Sequence, residues 1–393
     1  NSPASTSAPA LRFPGFTEPW QKCRLGDYIR IFSGESPNRI NSEYDKIPYY
    51  KVEQLNWCEK YLGETPYLSQ RGKNILPEGC VVFSKRGAAI LTNKVRMNLF
   101  PINIDTNLMG IKADNSFILD QYLFYFILRA RLNRIADTST IPQINNIHIN
   151  PITIYVPSLA EQEIITKFLA LLDERIATQR RLIEDFISLR RAILQDAIKR
   201  GLSKKSWKFT TLNDILTERG ERNSDGYDVC SVSVSEGVVN QIEYLGRSFA
   251  AKETRQYNVA RYGDIIYTKS PTGSFPYGIV KRDTQKEPAA ISPLYGVFVP
   301  KQDWIGMLLG YYFESEVNTF NYLHPIIQKG AKNTINITNS GFLANSVPLP
   351  SNESEASALA KCLDTITNKI VLEKSVLTHY TEQREYLLSK MFV

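Results

Sequence analysis

The chain carries one pattern twice. From Leu159 to Arg200, apolar residues fall at Ile165, Leu169, Leu172, Ile176, Ile183, Phe186, Ile193 and Ala197. Moving 194 residues on gives Leu359, Leu363, Ile366, Ile370, Leu377, Tyr380, Leu387 and Met391. The polar interruptions match as well, Gln179 with Glu373 and Arg190 with Arg384. Such agreement over ten positions constrains the fold strongly: the chain must be two copies of one module, a globule followed by a long helix.

The globules repeat too. Trp20, Leu25, Asp27 and Ile29 return as Trp207, Leu212, Asp214 and Leu216. Gly79 and Val81–Lys85 return as Gly263 and Ile265–Lys269, Phe124-Tyr125-Phe126 as Tyr311-Tyr312-Phe313, and Ile141–Asn145 as Thr334–Thr338. Five segments follow: a disordered tail at 1–10, a globule at 11–157, a helix at 158–200, a second globule at 201–350 and a second helix at 351–393. Short β-branched and aromatic runs, punctuated by Gly, Pro and Asn, mark each globule as α+β. Expected strands include Cys80–Phe83, Ile152–Val156, Asp264–Thr268, Ile279–Lys281 and Leu294–Val299, with helices at Leu119–Arg131 and Trp304–Phe313.

Ser158 can cap the first long helix, with Glu161 three residues on as in a capping box, and Gly201 is expected to close it. The alternating four-and-three spacing is a coiled-coil seam. It comprises Ile165, Leu169, Leu172, Ile176, Ile183, Phe186 and Ile193 on one helix, and Leu359, Leu363, Ile366, Ile370, Leu377, Tyr380 and Leu387 on the other. In the parallel register Arg190 would face Arg384, burying like charges together. Antiparallel pairing sets each arginine against an aliphatic layer near the far end, its head reaching water, and puts the globules at opposite ends of a rod of ~60 Å.

The net charge of +7 is concentrated on the globules, residues 1–157 alone holding 18 basic and 13 acidic side chains, which suits a polyanionic partner. The five cysteines are dispersed and the three histidines lack zinc-site spacing, so we expect reduced thiols, a cytoplasmic setting and no metal. No apolar run reaches the ~18 residues of a membrane span. Neither a G-x-x-x-x-G-K-[ST] phosphate loop nor a dinucleotide-binding glycine motif occurs, and Asn150-Pro151 continues with Ile152, not the second proline and aromatic of an amino-methyltransferase. An enzyme is not expected.

The segment Pro157-Ser158-Leu159-Ala160-Glu161-Gln162 running into the long helix resembles the conserved region of type I restriction–modification specificity subunits. Leu11-Arg12-Phe13-Pro14-Gly15-Phe16 with Trp20, and the Ile141–Asn145 segment, resemble it as well. The second helix start departs from the motif, with Asn352-Glu353-Ser354-Glu355 where the first copy has Leu159–Gln162. The resemblance implies that residues 11–157 and 201–350 are target recognition domains, each reading half of a bipartite, asymmetric double-stranded DNA site. The paired helices would set the gap. Two methyltransferase subunits, methylating adenine with S-adenosylmethionine, and ATP-driven motor–nuclease subunits would be recruited, the chain itself holding no cofactor. Two docking globules on a helical spacer, with no DNA role, is the alternative.

If DNA is the partner, base edges call for Arg, Lys, Asn and Gln side chains, and phosphates for cations or exposed amides. Lys85 and Arg86, before Gly87, follow one expected strand, and Lys269, Ser270 and Thr272 follow its repeat. Lys329, Lys332 and Asn333 form a second candidate loop, and Lys94 with Arg96 a third.

Overall fold

The computed structural model describes residues 8–36, 41, 46–137, 141–245, 253–329 and 335–393. Two compact units emerge: Asn1–Arg181 with Lys374–Val393, and Leu182–Glu373. Each contains one globule and parts of both long helices, which run Leu159–Ser203 and Glu353–Met391. The fold is α+β, as expected. Among the described residues no helix is long and apolar enough to cross a membrane.

In the first unit a four-stranded antiparallel sheet has the order Ile29–Ser33, Leu108–Ala113, Val81–Ser84, Val95–Met97. The strand Val81–Ser84 is buried throughout because it separates two cores. Val81 and Phe83 face one that includes Tyr122, Leu123 and Ile127 of the helix Asp120–Ala130. Val82, on the other side of the pleat, joins Tyr50, Leu76 and Ile104. Alternate side chains point to opposite faces, so a strand covered on both reads as an unbroken apolar run. A separate antiparallel pair, Gln21–Arg24 with Thr153–Val156, leads into the first long helix.

The second unit repeats the plan. Its sheet is ordered Leu216–Glu218, Gly296–Pro300, Ile265–Tyr267, Val280–Arg282. Ile265 and Tyr267 enter one core, and Ile266 enters another with Ala260 and Val297. Trp207–Thr211 pairs with Ser346–Pro350 ahead of the second long helix.

Within each unit the helices run antiparallel. In the first, Ile165 and Leu169 share a core with Leu388 and Met391, while Asp173, further along, meets Arg384, further back. In the second, Arg190 meets Thr367 and Leu194 shares a core with Ala356, Ala360 and Leu363. Of the expected seam, Ile165, Leu169, Leu172, Ile176, Ile183, Leu363 and Ile370 are buried. Phe186, Ile193, Leu359, Ile366, Leu377, Tyr380 and Leu387 are half-buried, and Leu194 and Leu388 lie deeper than their seam neighbours.

Three local expectations need correction. The seam arginines do not reach for water: Arg384 donates to Asp173 at 3.2 Å, and Arg190 donates to Thr367 at 2.5 Å and Glu314 at 2.6 Å. Gly201 does not close the first helix, which continues to Ser203. Instead it makes room for Trp207, whose Cδ1 would lie 1.9 Å from a Cβ at that position. Thirdly, the second helix start keeps the motif's glutamate. Ser158 Oγ accepts from Glu161 N at 3.3 Å, and Asn352 Oδ1 accepts from Glu355 N at 3.1 Å. The caps therefore align at 194 residues, which brings Glu161 onto Glu355.

Candidate nucleic-acid interface

The helix-start motif is architectural. Glu161, 1% exposed, accepts from Arg12 through both oxygens at 2.7 and 2.8 Å and from Trp20 Nε1 at 3.3 Å. In the second copy Trp207 Nε1 donates to Glu355 at 3.2 Å. Gln162, fully buried, accepts from Leu119 N at 2.8 Å and donates to Phe117 O and Pro157 O. Ala356 stands at the matching place, buried in an apolar core. A charged ion pair and three amide hydrogen bonds thus fasten the first helix to its globule; of these side-chain contacts, the second copy keeps the tryptophan–glutamate bond among the described residues. The recurrence of Trp20 as Trp207 and of Glu161 as Glu355 is the sequence signal for this clamp.

The candidate loops stand at the ends of the two central strands. Lys85 N donates to Asn107 O at 2.8 Å, and Lys85 O accepts from Ile144 N at 2.9 Å. Gly87 N donates to Pro142 O at 2.8 Å, and Ser84 Oγ to Arg86 O at 3.1 Å. The basic loop is therefore stitched to the repeated Ile141–Asn145 segment, a pairing that neither motif reveals alone. Gly87 has φ 81°, which the turn after Arg86 requires. Arg86 is exposed, and no ion pair or hydrogen bond among the described residues engages its guanidinium.

In the second unit Thr268 N bonds Ile279 O at 3.1 Å, and Lys269 follows in the left-handed region at φ 58°. Thr272 and Phe275 exchange backbone hydrogen bonds at 3.0 Å in each direction, and buried Phe275 anchors the tip. Thr272 Oγ1 donates to Ser270 O at 3.1 Å, Ser270 itself is exposed, and Ser274 donates to Glu316. Burial lowers the titration of Lys85 and Lys269 below the usual lysine range, with Asp105 and Glu218 respectively pulling back up. Both lysines are half-buried at the root of their loops, whereas Arg86 and Ser270 project from them.

Lys94 and Arg96 lie elsewhere. They line a cavity of about 650 Å³ with Asp173 and Arg384, at the junction of the first globule with the helices. Lys94 Nζ donates to Asn56 Oδ1, and Arg96 donates to Leu55 O at 3.0 Å and Val95 O at 2.9 Å. Burial lowers the titration of Arg96. Lys329 ends the strand Gln328–Lys329. Its side chain, and the whole of Lys332 and Asn333, lie outside the described residues.

Residues 17–185, holding most of the first globule, the Trp20–Glu161 part of its clamp and its loop, match the family model of the type I restriction modification DNA specificity domain. This segment carries that domain. A curated relative, the MjaVIII specificity subunit of a type I restriction enzyme from Methanocaldococcus jannaschii, is 24% identical and aligns over 93% of this chain and 89% of its own. Among solved structures, the type I restriction-modification S subunit from M. genitalium superposes with TM-score 0.57 at 14% identity, covering 98% of this chain and 99% of that one. A chain from work on complex assembly and conformational transition of the type I R-M system gives TM-score 0.54 at 14% identity, covering 97% and 98%. Those likenesses bear on fold alone, and they agree with the duplicated α+β plan. The specificity family was legible from the helix-start motif and the duplication together.

Proposed function

We propose that each globule reads one half of an asymmetric, bipartite DNA target, with the paired helices setting the gap. The observation that carries this reading is the repeated position of the loops. Lys85–Gly87 and Lys269–Ser274 leave the same strand of the same sheet, yet differ in sequence and in the way they are braced. A conserved frame with divergent polar tips suits two readers of different half-sites. Arg86 and Ser270 are the side chains best placed for base edges, and Lys85, Lys269 and Thr272 suit phosphates and loop support.

The chain acts without catalysis of its own. It recruits two methyltransferase subunits, which use S-adenosylmethionine to methylate adenine, and motor–nuclease subunits that consume ATP, within the cytoplasm. An exposed apolar strip on the first helix, Ile164, Phe168 and Leu171, supports docking of a partner subunit. Phe13 props Phe168 edge-on at 5.6 Å between ring centroids.

Base-resolution mapping of adenine methylation, in cells expressing this chain with its cognate methyltransferase, tests the reading. A gapped, two-part motif with unlike halves is expected. A short ungapped motif, or none with the methyltransferase active, overturns it.

A further inference from the structure

Both globule–helix junctions hold a half-buried arginine, and they neutralise it from different directions. In the first unit Arg384, on the second long helix, lines the junction cavity with Arg96 of the sheet's edge strand. Asp173, on the first long helix, accepts from Arg384 at 3.2 Å and from the Tyr125 hydroxyl at 2.6 Å, with Lys60 Nζ at 4.0 Å.

In the second unit the repeat places Arg190 where Arg384 was and Thr367 where Asp173 was, both 194 residues apart. Arg190 donates to Thr367, as Arg384 does to Asp173. Lys281 occupies the edge strand as Arg96 does. Tyr311 takes the part of Tyr125, its hydroxyl accepting from Thr367 at 3.0 Å. This register is one residue from the match of Phe124-Tyr125-Phe126 with Tyr311-Tyr312-Phe313.

Threonine cannot neutralise an arginine. The charge comes from the globule instead, where Glu314 accepts from Arg190 at 2.6 Å. The Arg190 side chain is only 11% exposed, so losing its carboxylate would leave a poorly solvated cation. In the register set by the tyrosines, the first-copy counterpart of Glu314 is Leu128, which lines the cavity with Arg384. The acid bonded to the arginine across the junction is therefore on the helix in one copy and on the globule in the other, while Glu385 Oε1 lies 3.8 Å from Arg384 and the Tyr311 hydroxyl donates to Asp364 at 3.5 Å.

We propose that Asp173 and Glu314 are positioning residues forming a seating key, which matches each recognition globule to its own pair of helix segments. The first globule needs an acid supplied by the helix. The second brings its own and meets a threonine. Placed on the second seat, the first globule would leave Arg190 without a carboxylate. Placed on the first, the second globule would add a redundant acid beside Asp173. The inference rests on reading the globules as half-site readers, and it names what keeps each reader in place.

The test moves the acid within the full-length chain. Glu314→Leu should lower the unfolding midpoint by roughly 5 °C. Adding Thr367→Asp should restore most of that loss, whereas Thr367→Asp alone should bring no gain. In methylation maps made with the methyltransferase, Glu314→Leu should permit gaps one base pair longer or shorter while leaving both half-sites unchanged. The double variant should return to the original gap, a recovery that a purely stabilising role would not bring. Asp173→Thr with Leu128→Glu is the mirror experiment. Because Asp173 also serves Lys60 and Tyr125, the second junction decides. A double variant there no more stable than Glu314→Leu overturns the key. A wild-type map without a gapped motif overturns the half-site reading instead, and leaves the melting result to be judged separately.

Discussion

At the scale of single residues, Asp283 and Arg86 give opposed cases. Asp283 is fully buried, and burial pushes its carboxyl up to about 6, Asp264 adding to the rise. Oδ1 accepts from Gln285 N at 2.8 Å, and Oδ2 has no partner among the described residues. A carboxyl with a raised folded pKa contributes stability that is complete below its ordinary range near pH 4 and is lost as pH rises through about 6. Asp283→Asn should therefore stabilise the chain at about pH 8 and make little difference at about pH 4, as urea unfolding at the two pH values would show. Arg86 is exposed, and its loss should leave stability within about 0.5 kcal/mol. On DNA, Arg86→Ala should weaken binding by about 1–3 kcal/mol and relax one half-site only, measurable by titration against duplexes varied one base pair at a time. A uniform loss across all sequences would make Arg86 a phosphate contact.

At the scale of elements, close approach decides what propensity does not. Gly201→Ala would gain about 1 kcal/mol as a helix substitution in open solvent. Here the new methyl would sit 1.9 Å from Trp207, and overpacking costs about 1–3 kcal/mol, so net destabilisation is expected in a denaturant titration. The sequence showed a glycine near a helix end and suggested a stop, because capping is the commoner use of that residue. Only the packing of Trp207 reveals the other use. Central strands and the antiparallel direction were legible, since unbroken apolar runs and like charges at equivalent seam positions are local patterns. The helix-start glutamate of the second copy was hidden by one extra residue between Pro350 and the cap. The stitching of Lys85 to Ile144 was hidden for another reason: backbone pairing across many residues leaves no trace in side-chain identity.

At the scale of the whole molecule, the duplication makes the parts separable. Replacing residues 11–157 by the corresponding domain of another specificity subunit should alter one half-site and leave the other intact, provided the newcomer tolerates the acid at Asp173. Removing one heptad from the first helix, and a matched one from the second, should change the gap and neither half. Methylation maps read both outcomes, and a change in both half-sites from either variant would refute separable readers. The two-copy plan was visible in the sequence because helix periodicity and strand cores are kept under strong packing constraint. The tips of the central strands were visible only as loops, since Arg86 and Ser270 are exposed and packing leaves their identity open. That contrast has an evolutionary side. A strand clamped between two cores, as Val81–Ser84 and Ile265–Tyr267 are, holds its place without help from the exposed side chains at its tip. Mutations at Arg86 or Ser270 then carry little folding penalty, so, on the proposed reading, a few codons can change the target while the scaffold's folding is untouched.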